Sequence, residues 1–443
     1  MARRRQYDLI VIGAEPAGLA AAACAGRAHA HVALIHTGDQ PPRSASAPGV
    51  PDFVWRKLNL QDAGLEADPV PARISLFEGG RTLKTFKSAK KTRDALEAAS
   101  IPDHRLWADF NDELSRARKE GEGLTRRAAV RANGRGAPAL LGALAGKDGA
   151  GAAERLTEGA LALLDDYFSD DALKVHLASV ALTPFGLGGD EAGSALALAG
   201  VGAPSAWRVR VSRNGPKFER VLEDAALAAG VEIIDARIRA VGAADEKTCE
   251  VTLHDGDVLR ARHLMAASTE AAARAGLDIA PAFSPLTRRD GAVANVRLRF
   301  ARPIEAPEGE KDAIFYLADS ISSFAEARDA ALEGRLIERP PISFEFNKDD
   351  ILVHAPYCPS FLKTEDEVRE WTEQDRQAFG QQIIARLAPF LNGAARSAVR
   401  RIDVRVTPAA PRQGEGAGVI APPPGHDPIG AAAKLALDLI GGR

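Results

Sequence analysis

The stretch Tyr7–Ala23, "YDLIVIGAEPAGLAAAA", and the run "HVALIH" at His31–His36 constrain this chain more than any other feature. Tyr7–Ile12 is rich in Leu, Ile and Val and ends at a glycine, the pattern of a buried strand. Ala17–Gly26 is dense in alanine, which loses least on entering a helix. His31–His36 then reads as a second buried strand. Strand, glycine turn, helix and strand within about 30 residues make a βαβ unit. Such a unit needs a parallel sheet covered by helices, so the chain is predicted to be α/β with a Rossmann-like domain.

The length of 443 residues allows two or three domains around large cores. A net charge of −3 supplies no field that would draw nucleic acid or an acidic membrane surface. The three cysteines, Cys24, Cys249 and Cys358, are far apart, so neither a disulfide framework nor a zinc site is expected and a reducing cytoplasm fits. "MARRR" before an apolar run imitates an export signal, but Asp8 and Glu15 interrupt that run and Pro16 follows at once. No transmembrane segment is expected.

Further along, "RISLFEGGRTLKTF" (Arg73–Phe86) has two alternating runs around Gly79–Gly80 and predicts a hairpin. "KSAKKTRDALEAA" and "HRLWADFNDELSRARKEGEG" read as solvated helices, and Ala128–Ala153 as a connection rich in Ala and Gly. Glu154–Leu182 reads as a pair of helices. In Lys217–Ser268 a helix ends at Gly230, a strand follows at Val231–Ile234, and a hairpin turns at Asp255–Gly256 into a buried strand at His263–Ala267. Gly291–Phe300 and Ile342–Tyr357 are strands of a second sheet, the latter with a turn at Asn347–Asp350. "EDEVREWTEQDRQAFGQQIIARLAPFL" reads as an amphipathic helical region, and Ile429–Ile440 as the last helix.

This order resembles the flavin-dependent amine oxidase and phytoene desaturase superfamily: an N-terminal βαβ turn, a helical insertion, a helix–strand–hairpin–strand block, a second sheet and a turn before a C-terminal helix. Within it the chain is most similar to the branch that includes pyridine nucleotide-disulfide oxidoreductase domain-containing protein 2. The segments that carry this are "LLDDYFSDDALKVHLASVAL", "GAPSAWRVRVSRNGPKFERVLEDAALAAGVEI" and "GRLIERPPISFEF". The resemblance implies a glutathione-reductase-type FAD-binding domain made of residues 1–45, 201–280 and 406–443. A helical insertion and cap would span 46–200, and a mixed-sheet α+β substrate domain 281–405. It also implies FAD as cofactor, held by the turn Gly13, Ala14, Glu15, Pro16, Ala17 and Gly18, by His36 or Asp39 at the ribose, and by Gly425, Asp427 and Gly430 near the end.

The cofactor motifs depart from that family in four places. In the G-x-G-x-x-G turn the middle glycine lets the backbone approach the pyrophosphate, and here Glu15 stands in its place. A carboxylate about 4 Å from a phosphate charge costs about 4 kcal/mol at an effective dielectric near 20. Either Glu15 substitutes for phosphate by accepting from the helix N–H groups, or it is a helix-start acid pointing to solvent. His36 replaces the ribose-binding acid, Pro41–Pro42 replace two glycines, and the final turn carries Pro422–Pro424 and Asp427 while the mid-chain turn reads "SRNG". No nucleophile–base pair and no metal cluster are evident. Arg208, Arg210, Arg213 and Lys217 form a basic cluster, read as a solvated edge or an anion site, and His354 and Tyr357 either pack or line a cavity.

Two functions follow as expectations. The first is a family member whose altered site has weakened or lost flavin, a possible pseudoenzyme that binds a protein partner. The alternative is an active FAD oxidoreductase that takes a hydride from an apolar small-molecule substrate.

Overall fold

The first strand lies at the centre of its sheet, as a βαβ start requires, and the computed structural model shows what is built around it. The structure describes residues 4–37, 49–69, 72–116, 158–184, 186–191, 194–198, 209–211, 218–244, 248–268, 271–272, 275, 277, 291–307, 310, 312–347, 350–364, 367–391, 398–408 and 428–441. Its strands are β1 (Arg4–Ile12), β2 (Val32–His36), β3 (Gly49–Val50), β4 (Ala67–Pro69), β5 (Arg73–Leu76), β6 (Thr82–Thr85), β7 (Val209–Val211), β8 (Glu232–Asp235), β9 (Ile238–Ala243), β10 (Cys249–Leu253), β11 (Val258–Ala266), β12 (Ala292–Phe300), β13 (Ile314–Leu317), β14 (Ile342–Asn347), β15 (Asp350–Cys358), β16 (Leu362–Lys363), β17 (Val368–Arg369) and β18 (Val399–Pro408).

One sheet has the order β8-β2-β1-β11-β10-β9. Its first four strands run parallel, and β11, β10 and β9 form an antiparallel meander. The register sets Ile12 of β1 beside Ile35 of β2 and Ala266 of β11. Helix α1 (Pro16–Gly26) covers one face, and every residue from Ala17 to Gly26 is buried. A helix apolar all round needs neighbours on every side. α1 has them: the sheet, the helix Phe218–Ala228 and the helix Pro428–Leu439. The C-terminal helix therefore packs on α1.

The other large sheet has the order β18-β12-β15-β14-β13-β5-β6. The Arg73–Phe86 hairpin forms as predicted, with β5 and β6 antiparallel. It joins this second sheet, because β5 pairs in parallel with β13. The pairing supplies the main-chain partners that an isolated hairpin would lack. The Glu373–Leu387 helix starts later than the amphipathic pattern suggested. Val368–Arg369 is strand β17, and Thr372 and Asp375 close a capping box that fixes the helix start. β9 is an element that the sequence reading did not separate.

The helices at Ala160–Tyr167 and Asp171–Leu182 form as predicted. The segment "HRLWADFNDELSRARKEGEG" is not solvated along its whole surface: Trp107, Phe110 and Leu114 are buried against Phe168 and Leu173. Their spacing of three and four residues makes one apolar stripe, which the surrounding charges obscured. Ala128–Ala153 lies outside the described residues. Among the described residues, no helix is long and apolar enough to cross a membrane. Cys24, Cys249 and Cys358 form no disulfide with one another.

Candidate functional site

In a doubly wound sheet the ligand crevice opens at the carboxyl ends of the strands, where the winding changes direction. Here β2 and β8 lie to one side of β1 and β11 to the other, so that point is the gap between β1 and β11. Gly13 ends β1 with φ +103, a left-handed conformation that glycine adopts at no steric cost. A Cβ on Gly18 would sit 1.9 Å from the Gly13 carbonyl oxygen, so α1 can approach the strand only with glycine there. The two glycines that shape the turn are thus both in use.

Glu15 is the N-cap of α1, with extended backbone at φ −66 and ψ 164, and its carbonyl accepts the first helical hydrogen bond from Leu19 N at 3.0 Å. Its side chain makes no capping hydrogen bond to the helix. Instead Ser268 Oγ, just past the end of β11, donates to Glu15 Oε1 at 2.5 Å. Ser268 Oγ in turn accepts from Ala271 N at 3.0 Å. The other carboxylate oxygen, Oε2, lies 3.0 Å from the place a Cβ on Gly13 would take. Neither expectation for Glu15 holds: its carboxylate does not stand in for phosphate on the helix N–H groups, and it does not point to solvent. Pro16 at the first helical position has no N–H to offer, and the Ser268 hydroxyl does. The half-buried carboxylate therefore spans the gap between β1 and β11.

His36 closes β2, and its Nδ1 lies 2.6 Å from Asp235 Oδ1 at the matching position of β8. His36 Nε2 is buried and has no partner among the described residues. The acid beside His36 is thus Asp235 of β8; Asp39 lies outside the described residues together with Gly425 and Asp427. Gly430 falls in the Pro428–Leu439 helix that packs on α1. Pro41–Pro42, Pro422–Pro424 and the "SRNG" turn also lie outside the described residues. So do Arg208, Arg213 and Lys217, while Arg210 falls in β7.

Gly13, Gly18 and the parallel strands have the shape that a dinucleotide fold requires. The Glu15 carboxylate, an acid where such a turn carries glycine, does not fit a phosphate charge brought beside it, because like charges repel.

Sequence reasoning missed Ser268, whose signal was a serine directly after a strand and before a helical turn. It also missed a nucleophile–base pair that only the fold creates. Ser75 Oγ lies 2.7 Å from His176 Nδ1, and Thr85 Oγ1 lies 3.3 Å from His176 Nε2. Ser75 and His176 are 2% and 0% exposed, so no substrate reaches them and they serve as a polar seam between helix and sheet. Burial, with the nearby Arg73 cation, pushes the His176 pKa down to about 3. Tyr357 is buried and donates to Leu187 O at 2.9 Å, which makes it a packing residue. His354 lies 3.3 Å from Asn295 across the β12–β15 pair. Among the described residues no cluster of three or more His, Cys, Asp or Glu is placed to hold a metal.

No family model and no curated protein matches the chain. Solved structures do. A putrescine oxidase bound to putrescine is 16% identical with a TM-score of 0.52, covering 99% of this chain and 100% of that one. A Rab GDI from Plasmodium falciparum is 8% identical with a TM-score of 0.53, covering 100% and 99%. Cyclohexylamine oxidase from Brevibacterium oxydans IH-35A is 12% identical with a TM-score of 0.50, covering 98% and 99%. The chain therefore has the α/β fold of the FAD-binding, Rossmann-type amine oxidases.

Proposed function

We propose that this chain is a member of the flavin amine oxidase and phytoene desaturase group that has given up ordinary FAD binding and acts as a non-catalytic binding subunit. The supporting observation is the Glu15–Ser268 bridge at the gap between β1 and β11. A dinucleotide would have to displace that bridge and then place two phosphate charges beside the released carboxylate, a cost of several kcal/mol, about 4 for each close charge pair. The fold is not tied to oxidation alone, since one solved neighbour is named as a Rab GDI. The resemblance to the pyridine nucleotide-disulfide oxidoreductase domain-containing protein 2 branch and the placement in a reducing cytoplasm, which suits cysteines that form no disulfide, belong to the same proposal.

A second reading keeps the flavin and has the chain oxidise an apolar substrate. It draws on the intact Gly13–Gly18 frame and on His36 Nε2, a buried polar atom at the ribose end of β2. Flavin content separates the two. Purified protein is expected to be colourless, with far less than one flavin per chain, and Glu15→Gly is expected to raise flavin uptake. Stoichiometric, tightly held FAD in the native chain would establish the second reading in place of the first.

A further inference from the structure

The two large sheets have four edge strands: β8 and β9 in one, β6 and β18 in the other. An edge strand presents unpaired main-chain N–H and C=O groups, to which another chain can add. A strand that pairs with its own copy about a twofold axis runs antiparallel to it, so it must be complementary to itself read backwards. β8 (EIID) carries only acids, while β6 (TLKT) and β9 (IRAVGA) carry one cation each and no acid. None of these three can set a charge against its opposite in a copy of itself. β18 carries both signs, with Arg401, Asp403 and Arg405 alternating along one face.

Both faces of β18 are incompletely covered. On the core face the register sets Ile402 beside Leu298, Val404 beside Val296 and Val406 beside Ala294. Leu298, Val296 and Ala294 are buried, whereas Ile402, Val404 and Val406 join the same core only partly buried. On the other face Asp403 is bridged to Arg401 at 2.7 Å and lies 3.8 Å from Arg299. Arg405 is exposed and has no ion pair among the described residues.

We propose that β18 pairs antiparallel with β18 of a second copy of this chain, about a twofold axis at Val404, and joins the two sheets into one. This register sets Asp403 of each chain opposite Arg405 of the other, twice over by symmetry. It also sets Ile402 opposite Val406, so the partly covered apolar row is extended across the axis. An axis at Asp403 or at Arg405 would oppose like charges, which repel. An axis at Ile402 would carry the pairing into the shift of register beside Val399 and leave Arg405 without an acid. Charges on an edge ordinarily keep copies apart. Here their alternation makes the edge attract its own copy. The pairing lies on a different sheet from the Glu15–Ser268 bridge and does not depend on whether flavin binds there.

The test is sedimentation of the full-length protein over a range of concentrations, and the native chain is expected to be a dimer. Arg405→Glu and Asp403→Arg each oppose like charges in a homodimer, and each should weaken self-association about tenfold or more. An equimolar mixture of the two variants opposes unlike charges at both positions and should recover the dimer, a result that damage to folding would not produce. If either variant fails to fold, hydrogen exchange on the native chain decides. Amides of residues 401–407 should exchange more slowly at high protein concentration than at low, while those of β6 and β9 should not change. A native chain that stays monomeric up to about 100 µM would overturn the inference. So would a dimer that neither variant weakens, a mixture of folded variants that stays monomeric, or exchange in β18 that ignores concentration.

Discussion

At the carboxyl end of the first sheet a carboxylate has found its partner inside the protein, whereas near the carboxyl ends of β5 and β13 a buried guanidinium has two of its three nitrogens without a partner among the described residues. In the first, Glu15 is held by Ser268 across the gap between β1 and β11. In the second, Arg386 of the Glu373–Leu387 helix reaches Asp319 through Nη1 alone, and Nε and Nη2 are the pair without a partner. The difference teaches that a polar group near the ends of parallel strands can be satisfied from within the chain or be buried without a partner among the described residues.

The largest expected effect breaks the frame of the first region. Gly18→Ala places a Cβ 1.9 Å from a backbone oxygen that cannot yield, so β1 and α1 must separate. A loss of about 3 kcal/mol or more is expected from such overpacking, measured by urea denaturation.

A middle effect lies beside the second region. β5 carries Ser75, the partner of His176, whose folded pKa is about 3 against an ordinary value of 6.5. Because the folded pKa is depressed, the unfolded chain takes up a proton that the folded chain refuses. Full stability is present above pH 6.5 and falls as the pH drops toward 3. The slope approaches about 1.4 kcal/mol per pH unit from this residue alone. His176→Gln removes that titration, so its stability should fall less steeply than the wild type's between those limits, read by denaturation at stepped pH. Identical slopes would show that His176 is not the group responsible.

The smallest effect sharpens the account of the Glu15–Ser268 bridge. Ser268→Ala removes the hydroxyl that holds Glu15 and should cost about 1–2 kcal/mol, with a charged acceptor losing its donor in a half-buried place. A neutral outcome would mean that the bridge contributes little and that the carboxylate is held by its own backbone.

Much of the architecture was legible in the residues because the signals are local. The alternation in Arg73–Phe86 gave the hairpin, and the alanine run after Gly13 gave α1. Both depend only on neighbours along the chain. Trp107, Phe110 and Leu114 were misjudged because their stripe sits among charges, and only the packing of Phe168 and Leu173 against them shows which face is buried. The anomaly at Glu15 was also visible, since a single position in a motif is read directly. Its partner was not: Ser268 lies 253 residues away in sequence.

The sequence by itself determined that a parallel sheet would form at Tyr7–His36 and that its turn would carry an acid where a dinucleotide fold has a glycine. Only the tertiary structure decided where that acid goes, that Asp235 of β8 meets His36, and that Arg386 Nε and Nη2 are buried with no partner among the described residues. The physical reason is range. Propensity, turn geometry and capping act over a few residues, while the pairing of a buried charge depends on which distant strands and helices bring a donor or acceptor within about 3 Å.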